Sequence, residues 1–355
     1  MKTPSLLIPS GTTIRDTYTV DRHVASGAFA DVYRVRHRYM GMQAMKVLKD
    51  GKTESDRATG LFEAFRLARF AHPSIVRVYD GNCLEPALGG FPYVTMELLE
   101  GGTLEDLEDG SGRRFVIDLL DACDQLADAL AHAHSQSPPI IHRDVKPTNV
   151  LIARDKQGRL TVRLADFGLA VAIDAELGFA TGQGTIAYRS PESLNGFETP
   201  ASDIYSWGLT MYEAATGVFP FAERLRTMAS ASTLQMIDSV KKAQQVPIDP
   251  PSYFRQAVHP AVDAIVMRTL SVDHRIRIQD GNALRMATRA MRDAAEGDPS
   301  PTEEIIGALA CCHDPTRTVE ALSSLGGALR ASPERGGSYV RLLAFLRNER
   351  DRMAS

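Results

Sequence analysis

The hydrophobic pattern of this sequence changes its period at Gly101-Gly102, and this change restricts the folds that the chain can adopt. Before the two glycines, apolar residues occur in short runs between turn residues, as in Thr17–Val20 and Asp31–Val35, which is typical of β-strands. After them, apolar residues recur about every 3.6 residues, as in 115–133 and 201–216, which is typical of amphipathic helices. We therefore expect a small β-rich part followed by a larger helical part.

Turn residues and changes of period set the boundaries of the expected elements. In the β-rich part, one helix at 56–70 is followed by strands at 75–79 and 92–98. In the helical part, two further helices are expected at 260–270 and 282–295. The predicted segments are an N-terminal segment at 1–16, a β-rich lobe at 17–99 and a helical lobe at 100–295 within one domain of 17–295, a linker at 296–301 and a helical C-terminal extension at 302–355.

Composition and charge exclude several classes of protein. A net charge of −4 over 355 residues gives no global basic field for nucleic acid or for an anionic membrane surface. No apolar run approaches the roughly 20 residues of a membrane-spanning helix. The cysteines do not have the spacing of a zinc site. We expect a soluble cytoplasmic protein with reduced thiols, no nucleic-acid partner and no membrane span.

A short polar loop between apolar anchors, Ile141–Leu151, is the strongest chemical signal in the chain. Within it, Asp144 can orient an acceptor hydroxyl or take its proton, and Lys146 can neutralise a γ-phosphate. The amide oxygen of Asn149 can bind a metal ion. A second turn follows with Asp166, whose carboxylate suits Mg²⁺ because this ion prefers hard oxygen ligands. Two such turns in this order argue against an ordinary charged surface loop.

Two features upstream fit the binding of a nucleotide, and each also has a simpler explanation. The strand–turn–strand segment Val24–Val32 carries small residues that let backbone N–H groups approach phosphate oxygens, but a tight hairpin would show the same residues. Lys46 lies in a strand, and Glu63 lies on the otherwise apolar face of the following helix. A Lys–Glu pair would hold the ammonium group for the α- and β-phosphates, whereas a lone strand lysine is usually a solvated edge residue.

Taken in order, these segments resemble the signature motifs of the eukaryotic-type (Hanks-type) serine/threonine protein kinase family. The resemblance extends from Thr17 to about Ala295 and includes Ser190-Pro191-Glu192 after the second turn. It implies an α+β two-lobe fold, with a small β-rich lobe carrying one helix and a larger α-helical lobe, plus the short helical extension. It also implies transfer of the ATP γ-phosphate to serine or threonine hydroxyls of proteins in signalling, including the chain's own activation segment. The absence of an apolar run long enough for a membrane span and the Arg-rich composition favour a soluble bacterial member.

The resemblance assigns roles to residues of this sequence. Met96 corresponds to the gatekeeper, and Glu97 and Leu99 correspond to the hinge residues that bind adenine. Asn149 and Asp166 correspond to the ligands of Mg²⁺, with Mn²⁺ as an alternative ion. The residues implied in catalysis are Asp144, Lys146, Asn149, Lys46, Glu63 and Asp166. The residues implied in ATP binding are Val24, Ala25, Ser26, Gly27, Ala28, Phe29, Ala30, Asp31, Val32, Ala44, Lys46, Met96, Glu97, Leu99 and Leu151.

The resemblance also implies regulation through the activation segment. Arg143, directly before the catalytic aspartate, would pair with a phosphate on that segment through charge-assisted hydrogen bonds. We predict Thr181 as the main autophosphorylation site, because Thr185 should be occupied by its contacts with the catalytic loop. The alternative is that Asp174 or Glu176 supplies the negative charge.

Further residues are implied in support of the site, and two positions depart from the family pattern. Asp203 would hold the backbone of the catalytic loop, and Glu192 would form a buried ion pair with Arg277. Ala25 and Ala30 stand where the family has glycine. We expect this change to alter the affinity for ATP while activity is retained, unless the backbone there has an angle that only glycine adopts.

Two other functions are compatible with much of this pattern. A pseudokinase keeps the fold as a binding module but usually lacks the strand lysine, the catalytic aspartate or the metal-binding aspartate, and all three are present here. A small-molecule phosphotransferase of related fold would lack the complete activation segment, which builds a platform for a peptide. For the extension at 302–355, packing on the large lobe or docking of a partner protein is the working hypothesis.

Overall fold

The structure, a computed structural model, describes residues 7–27, 30–49, 71–107, 113–167, 183–228 and 231–296. The chain divides into two compact units. Unit 1 comprises Met1–Glu100 and Ala165–Gly182, and unit 2 comprises Gly101–Leu164 and Gln183–Ser355. The predicted helix at 56–70 and the predicted extension lie outside the described residues and stay predictions.

Unit 1 is built on a six-stranded antiparallel sheet. Its strands are β1 (Thr13–Ile14), β2 (Tyr18–Ser26), β3 (Ala30–His37), β4 (Gly41–Leu48), β5 (Val78–Cys83) and β6 (Pro92–Met96). They lie in the order β1-β2-β3-β4-β6-β5. The strand predicted at 75–79 was placed too early, since Ile75, which lies in a single β-bridge, and Val76 are buried before β5 and the strand begins at Val78. The burial of these two side chains accounts for the apolar run ahead of the strand.

Strands β3 and β4 give the sheet two different sides, because successive side chains of a strand face opposite ways. One side is buried in the core of unit 1, where Tyr33 and Met45 are packed. The other side is partly exposed and carries Val32, Ala44 and Lys46. Lys46 is therefore presented on a surface of the sheet among small apolar neighbours.

Unit 2 is mainly helical, as the periodicity after residue 100 predicts. Its elements are helix α1 (Arg113–His134), strands β7 (Val150–Arg154) and β8 (Leu160–Leu164), and helices α2 (Gln183–Ala187), α3 (Pro200–Thr216), α4 (Ala222–Leu225), α5 (Thr233–Gln244), α6 (Pro251–Phe254), α7 (Pro260–Thr269) and α8 (Gly281–Glu296). The antiparallel β7–β8 hairpin was not predicted. In the described part of the chain, no helix is both long and apolar enough to cross a membrane.

Helix α3 lies in the core of unit 2, and local signals in the sequence set its ends. Thr199 precedes the helix with an extended backbone, and Pro200 takes the first position, where a missing N–H leaves no partner unsatisfied. Gly217 ends the helix with a φ of 75°, a left-handed conformation that glycine adopts without strain. Trp207 and most other side chains of α3 are buried, as expected for a helix surrounded by protein.

Two glycines allow pairs of helices to approach closely. A Cβ atom on Gly208 of α3 would lie 2.2 Å from Oγ1 of Thr269 in α7. A Cβ atom on Gly281 would lie 2.2 Å from the backbone nitrogen of Ala131 in α1. The start of α8 therefore packs directly against the last turns of α1, where His134 is buried.

Candidate active site

Lys46 and Asp166 form an ion pair within unit 1. The Nζ atom of Lys46 lies 2.6 Å from Oδ2 of Asp166, and the two side chains are 18% and 21% exposed. Asp166 has a φ of 67°, a left-handed conformation that is uncommon for residues with a Cβ and that concentrates at functional sites. The predicted partner Glu63 lies outside the described residues, so the Lys46–Glu63 pair stays a prediction.

Several residues predicted to bind ATP share one side of the unit 1 sheet. Val32 pairs in register with Lys46, and Ala44 pairs with Met96. Residues directly opposite on antiparallel strands place their side chains on the same face, so these four are neighbours. Val24, near the end of β2, is 46% exposed. An exposed apolar side chain such as that of Val24 is suited to contact a flat aromatic ring, and the ammonium group of Lys46 is suited to contact phosphates.

The alanines that replace two family glycines are compatible with the backbone. Ala25 lies in β2 and Ala30 begins β3, and neither residue has a positive φ. Gly27 lies between them and closes the turn by donating its N–H to the carbonyl of Ala30 at 2.8 Å. A Cβ is therefore tolerated at both positions without backbone strain. Ala28 and Phe29 lie outside the described residues.

Lys49 braces this turn through contacts that the sequence did not predict. Its Nζ donates to the carbonyl of Gly27 at 2.9 Å and lies 2.8 Å from Oδ1 of Asp31. The Asp31 side chain is only 5% exposed. The carboxylate of this predicted ATP-binding residue is thus turned into the protein and paired with Lys49, while Ser26 lies opposite it in the β2–β3 register.

The predicted hinge follows β6 and is held to the segment before β5. The N–H of Glu97 donates to the carbonyl of Arg77 at 2.9 Å, and Oε1 of Glu97 accepts the N–H of Arg77 at 2.9 Å. Leu99, two residues later, is partly exposed. Leu151 belongs to unit 2, where it lies in β7 and forms a bridge with Thr103.

The polar loop of unit 2 brings four of the predicted residues together. The Nζ atom of Lys146 donates to Oδ2 of Asp144 at 2.8 Å and to Oγ1 of Thr185 at 2.7 Å. The amide nitrogen of Asn149 donates to the carbonyl and to Oδ2 of Asp144, both at 2.8 Å. In contrast, Oδ1 of Asp144 is buried and has no hydrogen-bond partner within the described ranges. A buried carboxylate oxygen without a donor is rare, and it is suited to receive one from a bound molecule.

Asp203 of α3 holds the backbone of this loop, which confirms the predicted brace. Its Oδ2 accepts the N–H of His142 at 2.7 Å and its Oδ1 accepts the N–H of Arg143 at 2.8 Å. Burial alone would raise the pKa of this carboxyl, but the hydrogen bonds from His134 and from the N–H of His142 outweigh burial and hold the pKa below its ordinary value of 3.8. The loop therefore rests on an ionised carboxylate, which helps to hold Arg143 at its left-handed φ of 71°.

His134, at the end of α1, orients Asp203 and was not predicted. Its Nε2 lies 2.9 Å from Oδ2 of Asp203, and its Nδ1 accepts the N–H of Gly281 at 2.9 Å. Because Nδ1 accepts a hydrogen bond from Gly281, Nε2 carries the proton that faces Asp203. His134 therefore orients the carboxylate of Asp203 through a hydrogen bond from Nε2.

Arg277 and Glu192 form the predicted buried ion pair. The two terminal nitrogens of Arg277 donate to the two carboxylate oxygens of Glu192, at 2.7 Å and 3.1 Å. Burial alone would raise the pKa of Glu192, but the bidentate contact with Arg277 lowers it below its ordinary value of 4.5. The pair ties the segment before α3 to the chain between α7 and α8.

Arg143 is paired with a carboxylate that the sequence did not predict. Its Nε is in contact with Oε2 of Glu198, and Nη1 of Arg189 donates to Oε1 of the same carboxylate at 3.3 Å. The predicted sources of negative charge, Thr181 and the two acidic residues before it in the activation segment, lie outside the described residues and stay predictions.

Comparison with known proteins identifies the family. The sequence profile of the protein kinase domain matches residues 18–289. The chain belongs to the protein kinase domain family. It is 32% identical over 300 residues to the serine/threonine-protein kinase PknA of Mycobacterium tuberculosis, which covers 82% of this chain and 65% of PknA. It is also 32% identical over 288 residues to the serine/threonine-protein kinase PknB of Mycolicibacterium smegmatis, covering 77% of this chain and 42% of PknB.

Solved structures agree with the protein kinase fold. The crystal structure of a mutant of the Mycobacterium tuberculosis PknI kinase domain matches with a TM-score of 0.56 at 25% identity, over 81% of this chain and 99% of that domain. The two-lobe α+β protein kinase fold is thereby confirmed for this chain. Protein kinases use ATP with divalent metal ions and phosphorylate protein substrates. The chain spans less than two thirds of the length of PknA and PknB, at 65% and 42%.

Three supporting residues of this protein kinase domain were missed from the sequence. His134 ends an amphipathic helix, where a histidine is usually a solvated cap. Lys49 and Glu198 are charged residues near turns, and such residues are most often exposed. The only local signal was position: Lys49 directly follows the strand that carries Lys46, and Glu198 directly precedes the cap of α3.

Proposed function

We propose that this protein is a serine/threonine protein kinase that transfers the γ-phosphate of ATP to hydroxyl groups of proteins. The observation that carries this proposal is the environment of Asp144. One of its oxygens is occupied by Lys146 and Asn149, and the other is buried without a partner among the described residues. This arrangement fits a carboxylate that receives a hydroxyl from a substrate.

In the proposed reaction, Asp144 orients the acceptor hydroxyl through its Oδ1 atom and takes up the proton as the phosphoryl group is transferred. The ammonium group of Lys146 is held between Asp144 and Thr185, where it can neutralise charge on the transferring group. Both side chains are fixed by hydrogen bonds before substrate binds. The expected acceleration therefore comes mainly from positioning and electrostatics.

Asp166 and Asn149 are the residues that would hold the metal ion. Asn149 contacts Asp144 through its amide nitrogen, so its amide oxygen is not used in those hydrogen bonds. Carboxylate and amide oxygens fit Mg²⁺, and they also fit Mn²⁺. No cluster of three or more His, Cys, Asp or Glu in the described ranges could bind a metal from protein side chains alone, which agrees with an ion shared with substrate phosphates. The bound ion would neutralise phosphate charge.

Transfer to serine or threonine rather than tyrosine is supported by Lys146 and Thr185. In this family, a lysine within the catalytic loop is typical of the serine/threonine class. The 2.7 Å hydrogen bond from Lys146 to Thr185 links this loop to the segment before Ser190-Pro191-Glu192, which would form the platform for a peptide. The use of ATP is supported by Lys46, which is ion-paired with Asp166 and lies on the side of the unit 1 sheet that carries Val32.

Two charge-removing variants with matched controls test the proposed function. Asp144→Asn and Lys146→Met should each reduce phosphoryl transfer at least about 100-fold, since each removes a group that acts on the reacting atoms. The exposed residues Asp249 and Lys156 provide the controls Asp249→Asn and Lys156→Met, which should keep full activity. The assay is transfer from labelled ATP with Mg²⁺ to a generic protein, with phosphosites located by mass spectrometry.

Three results would count against the kinase proposal. Undiminished transfer by Asp144→Asn would remove Asp144 from the reaction. Binding of ATP without transfer by the unaltered protein would favour a pseudokinase. Phosphate found on small molecules but on no protein would favour a small-molecule phosphotransferase.

Location and partners belong to the same proposal. We propose a cytoplasmic kinase whose acceptors include Thr181 of its own activation segment and whose residues 302–355 dock a partner protein. Phosphopeptide mapping after incubation with ATP and Mg²⁺ tests the first point, because a Thr181 that stays unmodified while transfer proceeds to other acceptors would contradict it. Removal of the chain after Pro299 should leave transfer to generic substrates measurable.

A further inference from the structure

Arg143, Arg189 and Glu198 form a compact charge cluster within unit 2, which we call the Arg143 cluster. One carboxylate contacts both guanidinium groups. The side chains of Arg189, Glu198 and Arg143 are 6%, 17% and 28% exposed, so Arg189 is buried and the other two are only partly exposed to solvent. Arg143 directly precedes Asp144 in the chain, and its N–H is held by Asp203. A shift in the position of Arg143 should therefore move Asp144 as well, because the two residues share a peptide bond.

Glu198 connects two segments that must both be in place for phosphoryl transfer. Through Arg143 it contacts the catalytic loop, and through Arg189 it contacts the segment that begins with Thr185. Arg189 is itself fixed, because its carbonyl accepts a hydrogen bond from the amide of Gln244 at 2.8 Å. Glu198 directly precedes the N-terminus of α3, so its backbone is anchored on the core of unit 2.

The charge balance shows what the carboxylate does. The carboxylate of Glu198 lies against the guanidinium groups of Arg143 and Arg189. Removing its charge would take away the carboxylate that faces Arg143, and a poorly solvated guanidinium group without a counter-charge is disfavoured. Glu198 is the only carboxylate that contacts Arg143 among the described residues.

We propose that Glu198 is a positioning residue that orders Arg143 and Arg189 without any phosphate. This inference rests on the proposed kinase function. The negative charge that the family usually places against such an arginine by phosphorylation is here supplied by the chain itself. The phosphate-free protein is consequently active, and phosphorylation of Thr181 is not required for turnover.

The test compares phosphate-free forms of the full chain. The unaltered protein, Glu198→Gln, Glu198→Asp and the control Glu223→Gln are treated with a phosphatase, and mass spectrometry verifies that no phosphate remains. Glu223 is 82% exposed, so its isosteric change should have no effect. The unaltered protein should turn over, whereas Glu198→Gln should lose about tenfold or more in kcat. The KM for ATP should change by less than about threefold, because no nucleotide contact is altered. Glu198→Asp, which keeps the charge, should recover part of the loss.

Two kinetic results would overturn the proposal. One is equal kcat for the phosphate-free unaltered protein and a folded Glu198→Gln variant. The other is a phosphate-free unaltered protein that is inactive although its phosphorylated form is active. If Glu198→Gln does not fold, Glu198→Asp replaces it, and a kcat equal to that of the unaltered protein then counts against the proposal.

A second measurement separates this inference from the kinase proposal itself. Hydrogen exchange of the peptide containing the Arg143 N–H reports the order of the loop without any catalysis. Glu198→Gln should speed this exchange, whereas Glu223→Gln should not. Unchanged exchange overturns the role of Glu198. Faster exchange in a chain that transfers no phosphate in any form supports the role of Glu198 while the kinase proposal fails.

Discussion

Replacement of Asp203 by asparagine tests the physical account of the catalytic loop. The carboxylate accepts three hydrogen bonds, from the imidazole of His134 and from the N–H groups of His142 and Arg143. Asparagine has one acceptor oxygen and one amino group. If the asparagine oxygen accepts from His134 and His142, as Oδ2 of Asp203 does, its amino group faces the N–H of Arg143. Two hydrogen-bond donors then face each other.

The expected loss follows from these contacts. One hydrogen bond to a charged group is removed, which is worth about 1.5–3 kcal/mol, and a buried N–H of Arg143 is left unsatisfied at about 1–3 kcal/mol. We therefore expect Asp203→Asn to lower the free energy of unfolding by about 3–5 kcal/mol. Urea unfolding followed by circular dichroism at pH 7 measures this, with the exposed Asp249→Asn as control. A loss below about 1 kcal/mol would refute this account of the hydrogen bonds of Asp203.

The stability lost in Asp203→Asn should also depend on pH. The pKa of Asp203 is lower in the folded protein than its ordinary value of 3.8. A depressed carboxyl pKa stabilises the fold above the unfolded pKa, and this contribution is lost as the pH falls through the folded pKa. The difference between the unaltered protein and Asp203→Asn should therefore be constant above about pH 5 and shrink below pH 3.8. A difference that grows in acid would contradict the direction of the shift.

Three further changes test other parts of the structure. Arg277→Met leaves the carboxylate of Glu192 unpaired in the interior and should lower the free energy of unfolding by about 3–5 kcal/mol in urea titrations, so a neutral effect would contradict the buried pair. Gly281→Ala places a Cβ 2.2 Å from the backbone nitrogen of Ala131 and should lower the free energy of unfolding by about 1–3 kcal/mol, whereas unchanged stability would show that α8 is not in close contact with α1. Burial raises the pKa of Glu213 above 4.5, so ionised Glu213 weakens the fold as the pH rises. Glu213→Gln should consequently raise the melting temperature at pH 7 but not at pH 4, and a lower melting temperature at pH 7 would disprove the direction.

Local sequence patterns were sufficient to predict the structure where all the residues that determine it lie in one short segment. The polar loop with Asp144, Lys146 and Asn149 is a run of a few residues, and its internal hydrogen bonds follow from that spacing. Helix α3 was predicted to within one residue, because its apolar period is regular and Gly217 marks its end. The Glu192–Arg277 pair spans 85 residues and came from the family resemblance, not from the pattern.

Sequence patterns could not predict contacts between distant segments when the residues involved are of types that are usually exposed at the surface. His134 and Glu198 are polar residues next to helix ends, and most such residues are solvated. Their partners become evident only when the helices are packed. The displaced strand at 75–79 has a similar cause, because Ile75 and Val76 are buried by tertiary packing while β5 contains polar Asp80 and Asn82. Apolar content alone does not distinguish a buried connecting segment from a strand.

The imidazole of His134 makes completion of the catalytic loop depend on a late part of the chain. Its Nδ1 atom accepts from Gly281, which lies 147 residues further along, and its Nε2 atom faces Asp203. During synthesis at about 5–20 residues per second, Gly281 is added about 7–30 s after His134. Until then the ring lacks the donor that fixes its tautomer, and the support of Asp203 is incomplete. A nascent chain that already contains every proposed catalytic residue would therefore still lack the assembled loop until α8 begins to form.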